Sequence, residues 1–205
     1  MTAKPWNKSY ASRRFDSLPT RKVLILCEDA KSAPYYFHGF PVPPHDVEIE
    51  IVGTGINTNA LVREAINRKT AAEAQGQKYI AIWCVFDRDD FPAQHFNEAF
   101  DLAKHFGIRI AYANQCFELW YWLHFDFQQT SVSRDEYGAK LSARLGRKYS
   151  KADKTLYAEL KDLQHNAVRN AKKLLLSYHP KCNPERDDPS TTIHLLVEYL
   201  NEFQG

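Results

Sequence analysis

The chain has 205 residues, 44% of them apolar and 25% charged, a composition ordinary for a globular protein and unlike that of a disordered one. That length suits one α/β domain with an extension, not two large domains. The formal charge of +2 hides an asymmetry: residues 140–186 hold 12 Lys/Arg against 4 Asp/Glu, a local +8 that leaves −6 for the rest, and such a basic segment suits either a polyanion partner or a solvated helix surface.

Residues 1–20 show no periodicity and read as an arm, basic through Lys4, Lys8, Arg13 and Arg14. The arm has no apolar core of the secretory kind, and the longest apolar run, residues 79–86, falls far short of the roughly 20 residues that cross a bilayer. The expectation is a soluble, cytoplasmic protein without a membrane partner. Val-Leu-Ile-Leu-Cys at residues 23–27 is a continuous apolar run, as in a strand buried on both faces. Glu28-Asp29-Ala30-Lys31 follows, then a short helix with Pro34 in its first turn. A break at residues 41–44 precedes residues 47–52, whose period-two alternation predicts a strand with one wetter face, near a sheet edge.

Gly53-Thr54-Gly55 leads into a helix over about residues 59–75 that Gly76 ends. It reads either as a tight turn or as a phosphate site at a helix N-terminus. Residues 79–86 are the most apolar segment and predict the central strand, capped by Asp87-Arg88-Asp89-Asp90. A helix over about 94–106, a fourth strand over 108–113 and an aromatic helix over 116–125 come next. The remainder is helical, with breaks near 128–133, 146–151 and 179–189. Ser190 or Thr191 is placed to cap the last helix. The alternation of strands and helices argues for a mostly parallel open sheet covered on both faces. The chain divides into an arm at 1–20, an α/β core at 21–126 and a helical extension of the same domain at 127–205.

In such sheets ligands bind beyond the carboxyl ends of the strands. Glu28 follows the first strand, and Asp87 and Asp89 follow the third, two residues apart and so on one face. If those strands are neighbours, the three carboxylates converge on one hard cation, for which Mg²⁺ is the fitting choice and Mn²⁺ the substitute. A turn or cap is the plain alternative for Asp87 and Asp89, but clustered acids beside buried strands are costly without a cation. Glu118 stands in so apolar a stretch that it needs a partner, as a further site acid or as a structural ion pair. Asn114 would share its helix face if the helix began that early. Lys31 is placed to counter a phosphate, and His124 reads as a satisfied core histidine. Arg144, Arg147, Lys148, Lys151 and Lys154 gather around one break, and Arg169, Lys172 and Lys173 share a helix side. The four cysteines lack zinc or disulfide spacing.

Several of these stretches resemble the RloB-like family and, through it, the Toprim fold of topoisomerases, primases and OLD-type nucleases. They are Leu26-Cys27-Glu28 with Pro34 to Phe37, residues 53–58, Trp83 to Asp89, Cys116 to Trp120 with Leu123 to Phe125, and residues 189–198. The resemblance implies a Toprim-like α/β fold in which Glu28, Asp87 and Asp89 serve Mg²⁺, with Glu118 in a Phe-Glu-x-Trp motif. It also implies a nuclease acting on RNA or DNA in prokaryotic anti-phage defence, controlled by an AAA-type ATPase partner. The chain departs from the commoner family pattern at Asp29, where a glycine is expected, and at Ala33, where an acid is expected. That missing acid argues against a second metal ion. The expected catalytic set is Glu28, Asp87, Asp89, Glu118 and Lys31, with Arg147, Lys148, Arg169, Lys172 and Lys173 holding the nucleic acid. A catalytically silent module that binds nucleic acid or the ATPase is the alternative. A sugar-nucleotide site built on Asp87 and Asp89 would leave Glu28 and the basic tail without a role.

Overall fold

A computed structural model describes residues 21–41, 47–88 and 93–204. The arm at 1–20 and the second aspartate of the pair, Asp89, lie outside those residues. The described elements are β1 (Arg21–Cys27), α1 (Ser32–His38), β2 (Val47–Gly53), α2 (Thr58–Ala74), β3 (Tyr79–Arg88) and α3 (Ala93–Phe106). They continue with β4 (Arg109–Asn114), α4 (Glu118–Phe125), α5 (Arg134–Leu145), α6 (Leu156–Leu160), α7 (Gln164–Leu176) and α8 (Ile193–Asn201). None of the helices is long and apolar enough to cross a membrane.

All strand pairs are parallel, in the order β2-β1-β3-β4. The two inner strands are buried on both sides, which is why their sequences are continuous rather than alternating. Val23, Ile25, Cys27, Trp83 and Val85 face one core, and Leu24, Leu26, Ile82, Cys84 and Phe86 face the other. Strand β2 lies at the edge, and the half-exposed side chains from Ile49 to Val52 account for its wetter pattern. The expected open parallel α/β sheet with helices on both faces, and a helical C-terminal extension, is the fold the chain adopts.

Helices α2 and α3 supply the smaller core through Leu61, Val62, Ala65, Phe96, Ala99 and Ala103. Helix α1 and the helices after β4 cover the other face, so the helical extension shares its core with the sheet. Helix α4 is apolar around its whole circumference because it is enclosed: Leu119, Trp120, Leu123 and His124 are fully buried, between the sheet and helices α5 and α7. Helix α8 returns along β4, with Tyr199 against Trp83. Just before it, Thr191 forms an isolated antiparallel bridge to Ala113. That segment shields the β4 edge, which would otherwise offer unpaired amides to another chain.

Three local expectations are corrected. Asp87 belongs to β3 rather than capping it, because β4 continues to pair with β3 as far as Arg88. Asn114 ends β4, and α4 starts only at Glu118, so the two residues share no helix face; the Asn114 amide instead donates to the Asp187 carbonyl at 2.9 Å. The α8 cap position is Thr192, whose side chain makes no capping bond, while Thr191 Oγ1 accepts from the Ile193 amide at 3.2 Å.

Candidate functional site

The strand order reverses between β1 and β3: the chain leaves β1 toward β2 on one side and later continues from β3 to β4 on the other. Such a switch point opens a crevice at the carboxyl ends of the two strands, since successive crossover helices leave on opposite faces. A cleft of about 180 Å³ lies there, lined by Glu28, Asp29, Ala33, Val85, Phe86, Asp87, Phe117, Arg134 and Lys151. Pairing of Cys27 with Val85 and the bond from the Glu28 amide to the Val85 carbonyl at 2.8 Å carry the sheet register to the rim, which sets Glu28 beside β3.

The pleat gives the acids different neighbours. Glu28 continues the Leu24 and Leu26 side of β1, toward α2, and its Oε2 accepts from the Thr58 hydroxyl at 3.4 Å, where the helix N-terminus favours a carboxylate. Asp87 continues the Trp83 and Val85 side of β3, toward α4. Burial raises its carboxyl pKa well above the ordinary 3.8, reinforced by the charges of Glu118, Asp29 and Glu28 and opposed by Arg134. Asp29 accepts the amides of Lys31 at 2.5 Å and Ala33 at 3.2 Å, and so caps α1. Its pKa is raised too, because burial outweighs those two bonds. Ala33 lines the same cleft, so a carboxylate from Asp29 stands where that position provides none.

Glu118 is 1% exposed. Its Oε1 accepts from the Tyr149 hydroxyl at 2.6 Å and from Ser32 Oγ at 3.5 Å, and lies 3.5 Å from Lys151 Nζ. Its Oε2 is buried without a hydrogen-bond partner, an arrangement that calls for a further cation, proton or water. Glu118 therefore forms an ion pair with Lys151, and its charge contributes to the raised pKa of Asp87. The donor set is all oxygen, the chemistry of a hard divalent ion, which binds through one or two carboxylates plus water and phosphate oxygens rather than a closed cage. Among the described residues no three acidic, histidine or cysteine groups already form such a cage.

The other expected site residues are dispersed. Lys31 is exposed beside the cleft rim. The Gly53 turn is occupied by its own bonds: Thr54 and Gly55 amides donate to Cys27 and Glu28 carbonyls, and Asn57 caps α2. It is thus a turn, and its tightness has a reason, since a Cβ on Gly53 would sit 2.7 Å from the Ala30 Cα. Arg147 is paired with Asp153 and, at 2.5 Å, with Glu159, while Lys148 is exposed on the same loop. Arg169, Lys172 and Lys173 line a separate groove of about 650 Å³ with Leu176 and Glu198. There Lys172 pairs with Glu198 at 2.5 Å and Lys173 lies over the Phe127 ring. That groove lies on α7, which packs chiefly on α4 and α8 and stands a layer away from the sheet. His124 is the satisfied core histidine expected, bonded to the Trp120 carbonyl at 2.9 Å, and burial lowers its pKa to about 4. All four cysteines are free thiols.

Sequence reasoning missed Asp29, Arg134 and Tyr149 as parts of the site. Ser133 and Glu136 form a capping box that starts α5, so a Ser-x-x-Glu signal could have put Arg134 in a helix first turn, though not at the cleft.

A family model described as RloB-like protein matches residues 23–200. No curated protein and no solved structure matches the chain.

Proposed function

Because the chain belongs to the RloB-like family, we propose that it is a Mg²⁺-dependent phosphodiester hydrolase, an endonuclease on RNA or DNA in prokaryotic anti-phage defence, controlled by a partner ATPase. The observation that carries the enzymatic reading is the raised Asp87 carboxyl in a switch-point cleft, with Glu28 and Asp29 on the walls and buried Glu118 behind. Like charges gathered at low solvation suit a site completed by a cation. The defence setting and the ATPase rest on the family resemblance alone.

Glu28, Asp87 and Asp89 would hold Mg²⁺, with Mn²⁺ as the substitute. Bound there, the ion supplies charge stabilisation to a phosphoryl centre. The protein's own part is orientation and exclusion. Thr58 fixes one Glu28 oxygen, Asp29 holds the β1–α1 turn rigid through two amides, and Val85, Phe86 and Phe117 form an apolar wall that limits water. Incubating the chain with mixed tRNA, single-stranded DNA and plasmid, with Mg²⁺ or with chelator, tests the reading. Cleavage of at least one substrate with Mg²⁺ and none with chelator is expected. No cleavage of any, with the ATPase partner present or absent, leaves a silent binding module instead.

Glu118→Gln is expected to lower activity at least about tenfold, as for groups that orient a metal site, with little loss of thermal stability because the amide still accepts from Tyr149. A fall in melting temperature with full activity per folded molecule would make Glu118 purely structural. The α7 groove is assigned a general electrostatic role. Reversing Lys172 and Lys173 to glutamate is expected to weaken nucleic-acid binding across sequences and flatten its log-log salt slope by about one to two units, with Mg²⁺ affinity unchanged. An unaltered slope would remove this face from the nucleic-acid path.

A further inference from the structure

We propose that Arg134 and Lys151 form a phosphate clamp over the acidic cleft, gripping the non-bridging oxygens of a nucleic-acid backbone phosphate; the inference rests on the hydrolase reading. A phosphodiester approaching the cleft of Glu28, Asp29 and Asp87 meets a group of acids whose ionised forms share its sign, and like charges brought together are strongly unfavourable. Cations must face the acids for the phosphate to settle. Arg134 and Lys151 are the cationic residues among those lining the cleft, and both come from outside the sheet, Arg134 from the first turn of α5 and Lys151 from the loop between α5 and α6.

Each is held by something rigid. Arg134 Nη2 donates to the Gln115 carbonyl at 2.9 Å. Gln115 has φ of 64° and sits in a three-residue turn closed by the Cys116 amide on the Asn114 carbonyl at 2.8 Å, with its own amide on the Arg88 carbonyl at 2.9 Å. Positive φ at a non-glycine residue in such a turn is strained and persists only where the surroundings impose it. Here it joins the ends of β3 and β4 and ties Arg134 to the strand that carries Asp87.

Lys151 is anchored on Glu118. Its side chain remains 47% exposed while that of Glu118 is 2% exposed, so the ammonium is pinned at its inner side and open toward the cleft mouth. The loop that bears it is braced: Arg147 bridges Asp153 and Glu159, and the Tyr149 amide donates to Ser142 Oγ at 2.9 Å. The Tyr149 hydroxyl shares the Glu118 oxygen near Lys151. Glu118 then has a defined use as a positioning residue, acting through Lys151. A guanidinium whose Nη2 is fixed on Gln115 beside a compact ammonium places two cations where a tetrahedral, singly charged phosphodiester can meet them.

The test is fluorescence anisotropy of labelled single-stranded RNA and DNA oligonucleotides on the full chain, in chelator so that no turnover occurs, over a series of salt concentrations. Arg134→Ala and Lys151→Met are each expected to weaken binding about tenfold, the loss of one charge-assisted hydrogen bond, and to flatten the salt slope by about 0.7. Lys151→Arg is expected to restore the slope. Lys151→Met leaves Glu118 buried without its cation, so the double variant Lys151→Met with Glu118→Gln, which keeps an acceptor for Tyr149, should show the same loss at a wild-type melting temperature. Wild-type affinity and slope in the folded variants would overturn the clamp while leaving the hydrolase reading standing, provided the wild type still cleaves with Mg²⁺. A wild type that neither binds nor cleaves any nucleic acid overturns both.

Discussion

Asp87→Asn is expected to lose catalysis by roughly 10²–10³-fold or more, the range seen when one group that stabilises transition-state charge is removed, and to be more stable than the wild type in the metal-free state at neutral pH. The two effects have one cause. The folded chain raises the Asp87 pKa through burial and the neighbouring Glu118, Asp29 and Glu28 charges, so it holds a proton over a pH range in which the unfolded chain has released it. Stability therefore falls as pH rises from the ordinary value of 3.8 through the raised one, and an amide abolishes that loss. The expected melting-temperature difference between variant and wild type is largest at about pH 8 and shrinks toward about pH 4. Adding Mg²⁺ should raise the wild-type melting temperature and leave Asp87→Asn nearly unmoved, since a ligand stabilises only the state that binds it. Glu28→Gln and Asp89→Asn are expected to abolish activity as well, with the fold intact, and chelation to do the same to the wild type. Wild-type turnover in all three variants would remove these residues from the site. A metal-free Asp87→Asn protein less stable than wild type at pH 8 would show that Asp87 is a structural acid.

Tyr36→Ala is expected to destabilise the chain by roughly 3–5 kcal/mol, as large aromatic truncations in packed cores do, lowering the melting temperature by on the order of 10 °C. Tyr36 is 1% exposed. Its ring meets Phe37 and Phe40 beside it, Phe117 just before α4, Trp120, Tyr121 and His124 from α4, and Tyr157 from α6. Its hydroxyl lies 3.3 Å from His124 Nε2 and accepts from the Gln164 amide of α7 at 3.3 Å. One side chain thus binds together the helix that follows the Glu28 turn, helix α4 and two helices of the C-terminal extension. Tyr36→Phe keeps the packing and loses only the hydroxyl, so about 1–2 kcal/mol is expected. Chemical denaturation of both variants measures the split. Equal losses would mean that the hydroxyl network, rather than ring packing, holds the helical layer to the sheet.

Much of this architecture was legible in the chain because burial on two faces leaves a direct trace. The apolar runs of β1 and β3 could be nothing but inner strands once helices were read between them, and the alternating β2 segment declared its place at the edge. The position of Glu28 just past β1 and of Asp87 at the end of the most apolar strand followed from local order alone, since the sheet carries its register to the ends of its strands. His124 could be read as a core residue for the same reason, its neighbours in sequence being uniformly apolar.

What only the tertiary structure decided is which distant side chains meet the acids. Arg134 lines the cleft with its guanidinium on the Gln115 carbonyl, in a turn that is itself bonded to the end of β3. Lys151 was visible only as one cation in a basic cluster, and its pairing with Glu118 depends on how the loop after α5 folds over α4. Asp29 looked like a departure from a pattern until α1 was seen to be capped by its carboxylate. Conversely, Arg169, Lys172 and Lys173 share a helix side as their spacing requires, yet that side faces an outer groove rather than the cleft. Periodicity reports the surroundings of a residue within its own element. The convergence of charges from separate elements is set by loop geometry and packing, and these leave no periodic mark in the sequence.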